Sequence, residues 1–363
     1  MVERTGDYEW RIEGEAAEAV LYAPDEAVLE YPSLRAGLEA ADRLPGVESP
    51  VYAAASPQGS GWSVSSRSHV APGLVSVPRV GLLLAAASPL DRIGLSPEEL
   101  PRLLSRRLSE VAMPSPGESA LRAACETGTG WAAEQGLVEE EDLALLGDEA
   151  SGEPDALGRR ALAAGAREWD PRPEAAVRAG EIGAALDSEA LEMLGLYEGA
   201  LVLAGSVGAG ELGRLAREGH RQRMLSRDFG DAEHLVAAPT GTEEAADFVA
   251  AVGAAAGYAA ARASLLVYAL RRAMEEVAGG LELVACWGVG GLQEGAGAVL
   301  HRRSLVRLEA GTPLVCGDVL ARGTGSMLNS APPFGPYESG ERVWEEVGLL
   351  EPVAWLEEPE RRR

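Results

Sequence analysis

Residues 242–280 read TEEAADFVAAVGAAAGYAAARASLLVYALRRAMEEVAGG. Thr242 is a good helix cap, Glu243 and Glu244 suit the positive end of a helix dipole, and Gly279-Gly280 suit a left-handed stop. The spacing predicts one uninterrupted helix over 243–277. Its centre is almost all Ala and Gly. A helix with so little side chain gains burial only by bringing its backbone close to its neighbours, so it belongs at the centre of the fold.

Outward from this helix, residues 281–286 and 80–87 are apolar runs of strand length, and 51–84 alternates small and β-branched residues between Pro and Gly breaks. Helices are expected over 33–43 and, amphipathic and capped by Ser96, over 96–111, with two more within 118–146. Residues 148–173 read as a polar surface excursion, and 202–213 as a strand entering a Gly-rich turn. Residues 299–308 and 313–320 read as a hairpin about Glu309-Ala310-Gly311, and 337–355 as a short helix followed by a strand. No fixed-period repeat and no regular βαβ alternation is present. The expected class is therefore α+β, as one domain over 1–363 with packed sheets and flanking helices.

The charge balance is 32 cations against 57 acids, a net of −25 over 363 residues. Every cation is Arg, since the chain has no Lys; Asn329 is its one asparagine, and its histidines are His69, His220, His234 and His301. Without Lys there is no P-loop lysine, no Schiff base and no lysyl-nucleotide intermediate. The net charge argues against non-specific nucleic-acid binding. A GC-rich genome or a salt-adapted host would by itself produce such a composition. The N-terminus has no apolar leader, and no charge-free stretch of about 18 apolar residues occurs, so the expected location is cytoplasmic, with no membrane span. Cys125, Cys286 and Cys316 are widely spaced and read as reduced thiols.

Four groups could carry chemistry. Gly205–Gly210 (GSVGAG) could cradle phosphate at a helix start or be an ordinary turn. Gly323-Thr324-Gly325-Ser326 could bind an anion as a backbone nest or be only a loop. His301-Arg302-Arg303 and Arg307 form a basic strand, whose alternation places His301, Arg303 and Arg307 on one face. It could clamp a phosphate or pair with surface carboxylates. Arg214, Arg217, Arg221, Arg223 and Arg227 make a second basic run, a solvated helix face or an RNA contact. No Ser/His/Asp or Cys/His order suggests a triad.

In order along the chain, these landmarks resemble the RtcB family, the RNA-splicing ligases that join 3′-phosphate to 5′-hydroxyl ends. Leu44-Pro45-Gly46-Val47 and Gly59-Ser60-Gly61-Trp62 resemble its LPG and PDxHxGYGFPIGG motifs. Residues 72–84 resemble its SPGGVGYDINCGVRLL strand, and 237–266 its CAP…EG helix. Residues 281–291 resemble LDLVYDVSHN, 300–307 VHRKGATR, 311–328 GQPVLIPGSMGTGSYVL, and 347–355 AGLARPVARL. The family uses manganese and GTP and passes guanylate through a histidine. Here the chemistry departs from the pattern: the ligand aspartate and cysteine of DINCGV fall at Ser76 and Arg79, a ligand histidine at about Ala204, and the SHN histidine near Val289. The segment holding the nucleophilic histidine is absent. A guanidinium at Arg79 would oppose any dication beside it by roughly 1 kcal/mol or more even when screened, or would replace the metal and pair with a carboxylate or phosphate.

The resemblance thus implies an RtcB-like fold without metal or nucleophile, no catalytic residue, and no cofactor. Its role would be structural, regulatory or anion-binding, in RNA repair or tRNA processing, with RNA ends, a nucleotide or a protein as partner. The anion-binding candidates are Arg79, His301, Arg302, Arg303, Arg307, Gly323, Thr324, Gly325 and Ser326. Two alternatives stand beside it: an active manganese- and GTP-dependent ligase with relocated ligands, and an unrelated α+β enzyme.

Overall fold

Ten helices and eighteen strands build the chain into α+β layers among the residues that the computed structural model describes: 2–6, 9–23, 29–56, 59–89, 94, 99–147, 152–231, 235–295, 297–307, 310–311, 313–316, 319–323, 327–329 and 350–357. In chain order the strands begin β1 (Val2–Arg4), β2 (Glu9–Glu13), β3 (Glu18–Tyr22), β4 (Val47–Ser56), β5 (Gly59–Ser66) and β6 (His69–Val70). Then come β7 (Arg79–Pro89), β8 (Ala176–Ala185), β9 (Ala200–Gly208), β10 (Ala238–Pro239), β11 (Leu281–Val289) and β12 (Gly291–Gly295). The last are β13 (Ala298–Arg303), β14 (Leu305–Arg307), β15 (Pro313–Cys316), β16 (Val319–Gly323), β17 (Met327–Asn329) and β18 (Leu350–Glu357). The helices are α1 (Pro32–Asp42), α2 (Leu100–Glu110), α3 (Glu118–Thr127), α4 (Thr129–Glu134) and α5 (Glu140–Leu146). They continue with α6 (Pro154–Leu157), α7 (Arg159–Arg167), α8 (Ser188–Met193), α9 (Gly210–Ser226) and α10 (Glu243–Ala278).

The expected central helix is α10. Thr242 Oγ1 accepts the Ala245 N–H at 3.3 Å, and Gly279 closes the helix in the left-handed region. Burial surrounds the helix rather than marking one stripe, from Phe248 to Ala278. Its most apolar window is 78% buried, so the one helix long and apolar enough to cross a membrane among the described residues is a core element. Gly257 shows why its residues are small: a Cβ there would lie 2.4 Å from the Cys125 carbonyl oxygen on α3. Gly257→Ala should therefore lower stability. The overpacking cost of about 1–3 kcal/mol exceeds the gain of about 1 kcal/mol from helix propensity. A lower denaturant midpoint checks this, and a midpoint at or above the wild-type value would refute the close approach.

Seven strands form one mostly antiparallel sheet in the order β1-β2-β3-β4-β5-β13-β12, with β3 and β4 parallel. Helix α1 makes that parallel crossover and buries Leu34 and Ala41 against Trp62 and Val64. Seven more form a wholly antiparallel curled sheet, β11-β7-β9-β8-β18-β16-β15, whose first and last strands approach each other. Strand alternation sends Leu82, Leu84, Leu201 and Leu203 to the convex face, under α10 and α2. Leu83, Ala85, Val202, Ala204, Ala285 and Trp287 go to the concave face, where they pack with Leu314, Leu320 and Val353. Ala54 of the first sheet joins that core.

Several expectations are corrected. Residues 118–146 form three helices, because Gly128 at φ +53 breaks the first in two. Residues 152–173, within the expected surface excursion, carry α6 and α7 and bury Leu157, Ala161 and Trp169 against α10 and its neighbours. Trp169 stands edge-on to Trp131 at 5.0 Å and donates its indole N–H to the Pro114 carbonyl. The expected hairpin of 299–308 with 313–320 does not form. Strand β13 lies between β5 and β12, while β15 pairs with β16. Ser304, at φ +56, turns the chain out of β13 into β14, which pairs with β17 instead. The Ser96 cap and the helical part of 337–355 lie outside the described residues.

Candidate functional site

The predicted site residues do not converge on one cleft. His301 is fully buried between the first sheet and the 3-10 turn Pro72–Leu74. Its Nε2 accepts the Ala71 N–H at 3.0 Å, and its Nδ1–H donates to the Val64 carbonyl at 3.3 Å. Both ring nitrogens are thus engaged, and burial pushes the imidazole down to about 4, so it is neutral at pH 7. His301 is a structural histidine and cannot meet an anion from solution. Arg303 shares its face at the rim, with the guanidinium 4.7 Å above the Trp62 ring. Arg302 turns to the other face and its carbonyl accepts the Ser76 N–H. The kink at Ser304 ends the alternation that was expected to carry Arg307 onto this face. The Arg307 side chain lies outside the described residues, as do Thr324, Gly325 and Ser326. Gly323 is an ordinary strand position, buried in β16 opposite Leu350.

Arg79 lies elsewhere, at the mouth of the curled sheet. It opens β7 opposite Gly208 of β9, and its Nη2 donates to Ser206 Oγ at 3.3 Å. Burial lowers its pKa and the nearby Glu174 carboxylate opposes that shift. By register, Arg178 of β8 stands opposite Ala204, on the same concave side as Ser206. The Arg79 guanidinium and the buried Ser206 hydroxyl therefore edge this mouth, and Arg178 shares their face four residues away along β9. Behind it, Arg262 of α10 is fully buried and its two terminal nitrogens meet Glu174 Oε2 at 3.0 Å. Sequence reading did not place Arg178, Glu174 or Arg262 among the site candidates. Strand alternation from Ala204 could have placed the first, but nothing local marks an ion pair 88 residues apart.

Most of the Gly205–Gly210 segment is strand, since β9 runs to Gly208 and α9 begins at Gly210, and the chain supplies its own anion at that helix start. Glu168 Oε2 accepts the Glu211 N–H at 2.8 Å, and a Cβ on Gly210 would lie 2.6 Å from that oxygen. The expected turn is therefore corrected to the end of β9 passing through Ala209 into α9. The second basic run is mostly ion-paired: Arg214 with Glu211, Arg221 with Glu218, Arg223 with Asp247, and Arg227 with Glu244. Arg217 differs, its Nη1 donating to the Val75 carbonyl at 3.0 Å.

Manganese, which the resemblance would imply, does not fit these residues. Hard divalent ions want carboxylate and imidazole. Ser76 spends its hydroxyl on the Ser304 N–H, Arg79 brings a cation, and Ala204 and Val289 bring only hydrocarbon to the core. Among the described residues no three His, Cys, Asp or Glu side chains are grouped to hold a metal. His220 is buried, with Nε2–H donating to the Ala156 carbonyl at 2.8 Å. Burial pushes the Cys125 and Cys286 thiols up to about 12, far from a reactive thiolate. His234 lies outside the described residues. Neither the protein-family models nor the curated proteins include a match to this chain.

Proposed function

We propose that this chain is a non-catalytic relative of the RNA-splicing ligases, one that binds a phosphate-bearing RNA end or nucleotide without metal and without joining ends. The observation that carries this reading is Arg79: a cation held by Ser206 at the mouth of the curled sheet, at the position where the resemblance calls for a metal-binding thiolate. With Arg178 on the same side, the mouth suits an oxyanion and repels a dication. Strands β7, β11 and β16, which carry three of the resembling segments, share one curled sheet.

The test has two arms. Incubation with labelled GTP and manganese should yield no protein-bound guanylate. A covalent adduct lost on replacing one of the four histidines would overturn the reading in favour of an active ligase. Fluorescence anisotropy should show tighter binding of a 3′-phosphate oligoribonucleotide than of its 3′-hydroxyl twin, with Arg79→Ala weakening it by roughly ten-fold, the worth of one charge-assisted contact. Equal binding of the two oligonucleotides would also overturn it.

A further inference from the structure

In a chain with 57 acids and 32 cations, an arginine without a carboxylate calls for a reason. Four arginines of the α9 segment have acidic partners. Arg217 has no ion-paired carboxylate among the described residues: Glu218 is its chain neighbour, and the positions three and four away on its helix are Gly213, Arg214, His220 and Arg221. Its Nη1 donates to the Val75 carbonyl, which holds the guanidinium in place at 3.0 Å. Arg303 likewise has no carboxylate partner among the described residues and lies over Trp62 instead.

The same backbone corner fixes both. Val75, which receives Arg217, precedes Ser76. Ser76 donates its N–H to the Arg302 carbonyl at 3.1 Å, and its Oγ accepts the Ser304 N–H at 3.1 Å. Arg303 is the residue between those two partners. Its charge opposes that of Arg217, and burial lowers the pKa of both groups. Among the described residues no carboxylate is bonded to either guanidinium, and the half-buried Arg217 feels the charge of the exposed Arg303 more than that of Glu218 beside it. Each is pinned by a contact that leaves donor N–H groups unused: Arg217 binds through one nitrogen, and the stacked Arg303 keeps its in-plane donors.

We propose that Arg217 and Arg303 form a binding site for a phosphomonoester dianion at the corner where α9 meets the end of β13. Two forked cations match the charge and the several acceptor oxygens of that group, and a bound dianion would relieve the repulsion between them. The site is separate from the Arg79 mouth, and it does not depend on the ligase resemblance.

The test starts with the intact wild-type protein and inorganic phosphate, followed by melting temperature and by calorimetry against sodium chloride of equal ionic strength. Phosphate should raise the melting temperature where chloride does not. Arg303→Met, which keeps an aliphatic cover on Trp62, and Arg217→Met should each weaken phosphate affinity about ten-fold or more. No stabilisation beyond chloride in the wild type overturns the proposal whatever the variants do. So does phosphate binding that both variants retain unchanged. Competition by a 3′-phosphate oligoribonucleotide and by a nucleoside monophosphate identifies the source. Stronger competition by the first points to an RNA end, by the second to a free nucleotide, and either supports the site. Arg79→Ala separates this site from the proposed function, because it should leave inorganic phosphate binding at Arg217 and Arg303 unchanged. Loss of that binding in Arg79→Ala would overturn the separate site.

Discussion

Replacing Glu174 by alanine should lower stability by roughly 3 kcal/mol, the usual cost of leaving a buried charge without its partner. Arg262 is fully buried in the middle of α10, whereas the Glu174 side chain is 39% exposed. The pair is therefore asymmetric. Removing the carboxylate strands a guanidinium that cannot reach water, with its remaining bonds to the Gly208 and Asp170 carbonyls and its stacking on Tyr258. Asp170 is near enough to feel the Arg262 charge, and this softens the loss. Removing the arginine instead leaves a carboxylate that solvent can reach. Arg262→Met should accordingly cost less than Glu174→Ala, and the double variant should be more stable than Glu174→Ala alone. Urea denaturation of the three variants measures this. A Glu174→Ala loss below about 0.5 kcal/mol, the range of an ordinary surface change, would show that the pair does not hold the end of β9 against α10.

The second large effect is on acid stability. His301 titrates near 4 in the folded chain and near 6.5 when unfolded. Its neutral ring is required in the fold, because Nε2 must accept the Ala71 N–H. Between those two values the unfolded chain binds more protons than the folded one. The contribution is therefore complete above about pH 6.5 and is lost as the pH falls to about 4, with a total of about 3 kcal/mol. His220 and His69 shift in the same direction through burial, so the wild-type slope has more than one source. His301→Gln isolates the main one. An amide can accept from Ala71 and donate to Val64 without titrating. Stability measured from pH 7 down to pH 4 should fall less steeply in this variant. An unchanged slope would rule His301 out as the acid-sensitive group.

These two results depend on residues that the sequence treats very differently. The α10 helix was legible from Thr242 to Gly279 because capping, helix propensity and small-residue packing are all local. The strand beginning at Arg79 was legible from its apolar length. His301 looked like a ligand because alternation gave it a face but not what covers that face. Its partners Ala71 and Val64 are 230 and 237 residues away. Arg307 was grouped with it only on the assumption that the strand continued, and the left-handed Ser304 ends that strand. The polar look of 148–173 hid Leu157, Ala161 and Trp169, whose spacing matters only because α10 runs beside them.

By itself, then, the sequence determined the α+β class, the central helix and the absence of lysine chemistry, since each follows from composition or from contacts a few residues apart. Only the tertiary structure decided which cations are neutralised. Glu168 reaches the start of α9, Glu174 reaches Arg262, and among the described residues Arg217 and Arg303 are held by a carbonyl and an aromatic ring rather than by a carboxylate. Charge pairing depends on distance in space, and here the chain sets that distance through strands and helices far apart in sequence.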